Sequence, residues 1–151
     1  MRKTQNGFTL MEILIVIAIL GIIGALALPS YNNSVERGKL SECTAFAYRL
    51  SAEQEKFFTE NLTYTADLTS ALGLNLATSD SEKGHCTASV ETLPAGRTCE
   101  IDDATERCTS YTITVTRNSP DLATMECGIL TLTNQGVKGV TSAGAVDDCW
   151  R

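Results

Sequence analysis

The sequence is short of the residues that carry chemistry. It has one histidine, His85, one tryptophan, Trp150, and only 3 prolines among 151 residues. A lone histidine offers no paired metal spacing, and no nucleophile elbow surrounds any serine, so the residues point away from catalysis. No cysteine pair has the CxxC form, and His85 sits beside Cys86 rather than at a ligand spacing, which argues against zinc. Cations are in deficit too. Twelve Lys and Arg against 18 Asp and Glu leave a net charge of −6. That balance opposes bulk electrostatic capture of nucleic acid and leaves room only for a local basic patch. Asp102-Asp103 and Asp147-Asp148 lack the regularly spaced oxygens of a calcium loop and read as solvated acids. No cofactor motif appears.

What is present is concentrated at the start. From Ile13 to Leu28 every residue is apolar or glycine, and Phe8 to Leu28 is 21 residues. As helix that stretch measures roughly 31 Å, enough to cross a bilayer core. Arg2 and Lys3 precede it, which fits export with the positive end in the cytoplasm. Without those two cations the remainder stands at −8. Ala25-Leu26-Ala27 imitates a signal-peptidase site. The length of the run, the acid Glu12 inside it, and the helix-compatible sequence after Pro29 oppose that reading. A lipid-facing carboxylate costs roughly 3 kcal/mol or more, so Glu12 needs a partner. The bland alternative is a carboxylate lying at the headgroup level. All six cysteines follow the run, which reads as three disulfides made in an oxidising compartment.

Gly7-Phe8-Thr9-Leu10-Met11-Glu12 resembles the leader junction of type IV prepilins: a short basic leader, glycine, phenylalanine, then glutamate four residues on. The resemblance continues through Pro29 to Tyr31. It implies a leader at 1–7, cut between Gly7 and Phe8 by a prepilin peptidase on the cytoplasmic side. Phe8 is then N-methylated and the apolar helix, 8–29, stays attached to a head-bearing segment, 30–151. The implied location is the bacterial inner membrane, single pass with the head in the periplasm, and afterwards an extracellular pilus. Cutting creates a cation, the Phe8 amine, close to Glu12. In a helical assembly that amine meets Glu12 of a neighbouring subunit, and two charges entering an apolar core are tolerable only when paired. Glu12 thereby checks axial register.

From Ser30 to about Glu60 the sequence stays helix-permissive, with Cys43, Phe46, Ala47, Leu50 and Phe57 largely on one face. Pro29 lacks an interior donor and is expected to kink or locally melt this helix. Asn61 to Asp80 reads as a loop with a short helix near Asp67 to Leu72, stopped by Gly73. Alternation marks strands at Cys86–Val90, around Tyr111, Ile113 and Val115, and around Leu130 and Leu132, with a break at Asn134-Gln135-Gly136. The expected fold is α+β: one long helix, membrane-spanning in its first half, packed on a three- to four-stranded antiparallel sheet. That is also the type IV pilin fold. The tail from Cys127, with its terminal Cys149-Trp150, looks most like the minor pilins grouped with PilE.

Six cysteines allow 15 pairings. Cys127–Cys149 closes the glycine-rich tail and is supported by the family resemblance. Cys99–Cys108 closes a short polar loop, and Cys43–Cys86 joins the helix stripe to the face of the first strand. Trp150 is expected to pack over the tail bridge. The reading is a structural subunit of the type IV pilus, a minor pilin serving assembly, twitching motility or adhesion. Its partners are other pilins, the inner-membrane assembly machinery, the peptidase and, before assembly, the membrane. Two alternatives stay open. A DNA-receptor pilin needs Lys138, Arg117, Arg107 and Arg97 to form a strip on the acidic head. A type II secretion pseudopilin is permitted by Glu12 but disfavoured by the Cys127 to Cys149 loop.

Overall fold

The computed structural model of the chain describes residues 8–94, 99, 105–119, 126–141 and 144–150, excluding the side chains of 25–30. Gly7 and the rest of the leader, Pro29's ring and Arg97 fall outside these. The chain divides into two units, Met1–Arg37 and Gly38–Arg151. Helix α1, Leu10–Asn61, begins in the first and ends in the second.

In the second unit α1 buries Cys43, Phe46, Ala47 and Leu50. The next core position belongs to Gln54, not to the expected Phe57, which is only half-buried; Phe58 packs against the core one turn further on. Steps of four from Phe46 pass through Leu50, Gln54 and Phe58, and a polar residue at a core position hides this from an apolar pattern. Gln54 is buried because both ends of its amide are matched. Its Nε2 donates to the Thr65 carbonyl at 2.6 Å, and the Thr65 N–H donates to its Oε1 at 3.2 Å. At the helix end the Asn61 amide caps the Phe57 carbonyl at 3.0 Å, and Leu62 turns left-handed with φ 57.

The short helix expected over Asp67–Leu72 does not form. Asp67 Oδ1 accepts the N–H groups of both Thr69 and Ser70 at 3.0 Å, which turns the chain instead of propagating it. The Leu74 N–H then returns to the Asp67 carbonyl, and Leu76 to Leu68, so the segment folds back as a closed loop. Gly73 faces the Asp67 backbone so closely that a Cβ there would collide with it. Leu68 pins the loop to the core.

Among the described residues four antiparallel strands follow in chain order: β1 Cys86–Leu93, β2 Ser110–Arg117, β3 Ile129–Thr133 and β4 Lys138–Val140. β1 runs three residues beyond the expected Val90, pairing Leu93 with Ser110. Register sets Val90 against Ile113 and Leu132 against Ile113, so one sheet face is apolar. Ala88, Val90, Tyr111, Ile113, Val115, Leu130 and Leu132 lie there in the same core cluster as the α1 stripe. Thr112, Thr114, Thr116, Thr131 and Thr133 alternate onto the other face, as expected of a sheet wet on one side. A turn with Gly136 at φ 75 joins β3 to β4. A one-turn helix, α2 Val146–Cys149, ends the head and was not expected from the sequence.

Candidate assembly segment and candidate nucleic-acid surface

In the first unit the backbone of Thr9 stands at the entry to α1. Its Oγ accepts the Glu12 N–H at 3.2 Å and its carbonyl accepts the Ile13 N–H at 3.3 Å. Thr9 and Glu12 thus occupy the two positions of a T-x-x-E capping box, a helix-start signal that the sequence itself carries. Glu12 lies in the first turn, where the helix dipole favours a carboxylate. From Leu10 to Ile23 the large apolar side chains of this unit are exposed, from 46% at Val16 to 82% at Leu10. Apolar surface on that scale requires a covering. Among the described residues no helix is long and apolar enough to cross a membrane, and the described part of the apolar run stops at Gly24.

In the second unit two of the described basic residues named for a strip, Arg107 and Arg117, are not gathered. Arg107 precedes β2 and Arg117 ends it, so they lie at opposite ends of a strand roughly 25 Å long. Arg117 is 8% exposed, and Arg107 has a buried Nε without a hydrogen-bond partner among the described residues. Lys138 starts β4 and pairs in register with Leu132, so its side chain rises on the helix side of the sheet. There its Nζ stands 5.5 Å from the Tyr48 ring centroid and 5.8 Å from that of Trp150. The two rings meet edge to face at 5.7 Å, and the Trp150 indole donates to the Gly139 carbonyl at 3.0 Å. Tyr48 has no functional signal in the sequence; it is one of 4 tyrosines until β4 is placed beside it.

Comparison with known proteins covers the chain from residue 2 to residue 131. Residues 2–28 match the model of the prokaryotic N-terminal methylation motif. Residues 29–131, more than half the chain, match the model described as type IV minor pilin ComP, DNA uptake sequence receptor. The chain belongs to the type IV pilins. A fimbrial protein of Neisseria meningitidis serogroup B is 37% identical over 91 residues, 60% of this pilin and 52% of its own length. The type IV major pilin protein PilE of Neisseria gonorrhoeae is 38% identical over 84 residues, 56% of this pilin and 48% of its own. FimA of Dichelobacter nodosus, also named a major fimbrial protein, is 47% identical over 47 residues, 31% and 29% of the two chains. This pilin thus spans about half the length of the curated relatives it matches, and the matching family model is a minor pilin where two relatives are named as major.

The head of this pilin is tied at three points. Cys43–Cys86 fastens α1 to the start of β1, Cys99–Cys108 closes the approach to β2, and Cys127–Cys149 joins the approach to β3 to α2. Trp150 packs on Tyr48 and Lys138 beside that last bridge. A polar link adds to the first tie. The Tyr64 hydroxyl donates to both Glu55 oxygens at 3.1 and 3.2 Å, while Tyr111 Oη is 2.9 Å from Ser51 Oγ. Burial, followed by the Glu55 carboxylate, pushes the Tyr64 hydroxyl up to about 12, so it stays a donor at any physiological pH. Beside Cys43, Glu42 accepts the Lys83 N–H at 2.9 Å and lies 3.8 Å from His85. Burial raises its carboxyl, but the Ser81 hydroxyl, the Lys83 N–H and His85 outweigh that and hold it below its ordinary value.

Proposed function

We propose that this pilin is a minor subunit of a type IV pilus. The exposed apolar surface of Leu10–Ile23 carries the reading, because lipid must cover it before assembly and neighbouring subunits afterwards. In this proposal 1–7 is the leader, 8–29 the membrane-spanning and filament-core part of α1, and 30–151 the rest of α1 with the head. Prepilin peptidase cuts after Gly7, Phe8 is N-methylated, and Glu12 pairs with the Phe8 amine of the next subunit. In this proposal Pro29, which lacks an interior donor, is the residue that kinks α1. Other pilins and the inner-membrane assembly machinery are its partners, the inner membrane its first location, and the extracellular pilus its second. Mass spectrometry of the mature chain tests this: a start at methylated Phe8 is expected, and a start at Leu28 would show an ordinary secretory signal. Minor rank requires far fewer copies than the bulk subunit in sheared pili.

A second reading concerns what the head does. The match of 29–131 to a family described as a DNA uptake sequence receptor favours a pilin that captures DNA. Binding of duplex DNA by the detergent-solubilised full chain at low salt is its test, and no binding to any duplex would end it.

A further inference from the structure

We propose that Lys138 and Tyr48, braced by Trp150, form a contact for the DNA backbone, an inference that rests on the DNA-receptor reading. An acidic head can hold a polyanion only where a cation is not already answered by an acid. Several described cations of the head have acids as neighbours. His85 lies 3.8 Å from Glu42, which also feels the charge of Lys83. Lys56 lines a groove with Glu53 and Glu60, and Arg49 sits over Phe46 in a hollow shared with Glu42 and Glu82. Arg117 is buried in the sheet.

Lys138 is different. It is exposed, it makes no ion pair among the described residues, and its charge stands over two aromatic rings. Those rings hold the ammonium in place without neutralising it. Trp150 is 8% exposed and its indole is bonded to β4 through Gly139, so it serves as a fixed floor. Tyr48 is 45% exposed, presenting a ring and a hydroxyl next to the ammonium. A lysine and a tyrosine hydroxyl on one rigid patch suit phosphate oxygens, which position a duplex without reading its sequence. α2 packs against β4 and carries Asp147 and Asp148, so the duplex approaches from the α1 side. The bridge Cys127–Cys149 ties α2 to the approach of β3 and keeps this geometry fixed.

The test is fluorescence anisotropy of the full chain in detergent with duplexes of unrelated sequence, at several salt concentrations. Lys138→Gln is expected to flatten the slope of log affinity against log salt by about 0.9, which is about eightfold in affinity at 0.1 M salt. The loss should be equal for every duplex, because a phosphate contact carries no sequence. Tyr48→Phe should weaken binding while leaving the slope alone, and Lys83→Gln should change neither. Wild-type binding with an unchanged slope in Lys138→Gln overturns the inference and leaves the DNA reading standing. Failure of the wild type to bind any duplex overturns both.

Discussion

Removing the three disulfides one at a time should destabilise the head in the order of the loops they close. Cys43–Cys86 spans 43 residues of chain, Cys127–Cys149 spans 22 and Cys99–Cys108 spans 9. In the chain-entropy model these closures are worth about 4, about 3.4 and about 2.6 kcal/mol. A domain of this size shifts its midpoint by about 4 °C per kcal/mol, so paired Cys→Ala variants should melt roughly 16, 13 and 10 °C lower. All six cysteines also lose some packing, since four are fully buried and Cys99 and Cys127 join the core edge. That loss adds to each variant without reversing the order. Thermal scans by near-ultraviolet circular dichroism of the full chain in mild detergent read it out. If the Cys99/Cys108 variant proves as unstable as the Cys43/Cys86 variant, loop entropy is not what these bridges supply.

Three further outcomes are expected. Glu12→Gln should insert in the membrane normally yet enter pili about tenfold less, the effect of losing about 1.4 kcal/mol of pairing; normal counts in sheared pili refute the register role. Gln54→Leu keeps the volume but strands the N–H and carbonyl of Thr65, at about 1–3 kcal/mol each, so urea unfolding should show a loss of roughly 3 kcal/mol. An unchanged midpoint would mean that water takes over both groups. Glu42 titrates below its ordinary value in the folded head, so its contribution is present above the unfolded pKa of about 4.5 and fades as pH falls through the folded one. Glu42→Gln should therefore flatten the acid limb of the stability profile and leave the limb above pH 6 unchanged in slope.

Much of this architecture was legible because it rests on alternation and period. The α1 stripe and the β2 pattern are long enough to fix their own faces, and a helix stripe facing a strand face sets Cys43 near Cys86. The failures have local causes. Gln54 was missed because its burial depends on two backbone groups of Thr65, eleven residues on. The helix over Asp67–Leu72 was misread because Asp67 fits a helix start and a closed turn equally well. Lys138, Tyr48 and Trp150 are far apart in sequence and meet only when β4 and the tail are laid beside α1. Of the strip that a DNA-receptor pilin requires, Arg107 and Arg117 are held apart by the length of β2, and Arg97 lies outside the described residues.

The order β1-β2-β3-β4 has a consequence for how this pilin can diversify. Among the described strands each pairs with its neighbour in sequence, so each connection joins two adjacent strands. The segments 94–109 and 118–128 each leave and re-enter at one end of a hairpin. Lengthening such a segment costs only a slowly growing loop-closure entropy, about 0.6 kcal/mol per doubling. Whole new surfaces can therefore be tried at the strand ends while α1, its capping box and the tail bridge are inherited unchanged. Related subunits can then share one method of packing into a filament and still differ in everything they present to the outside.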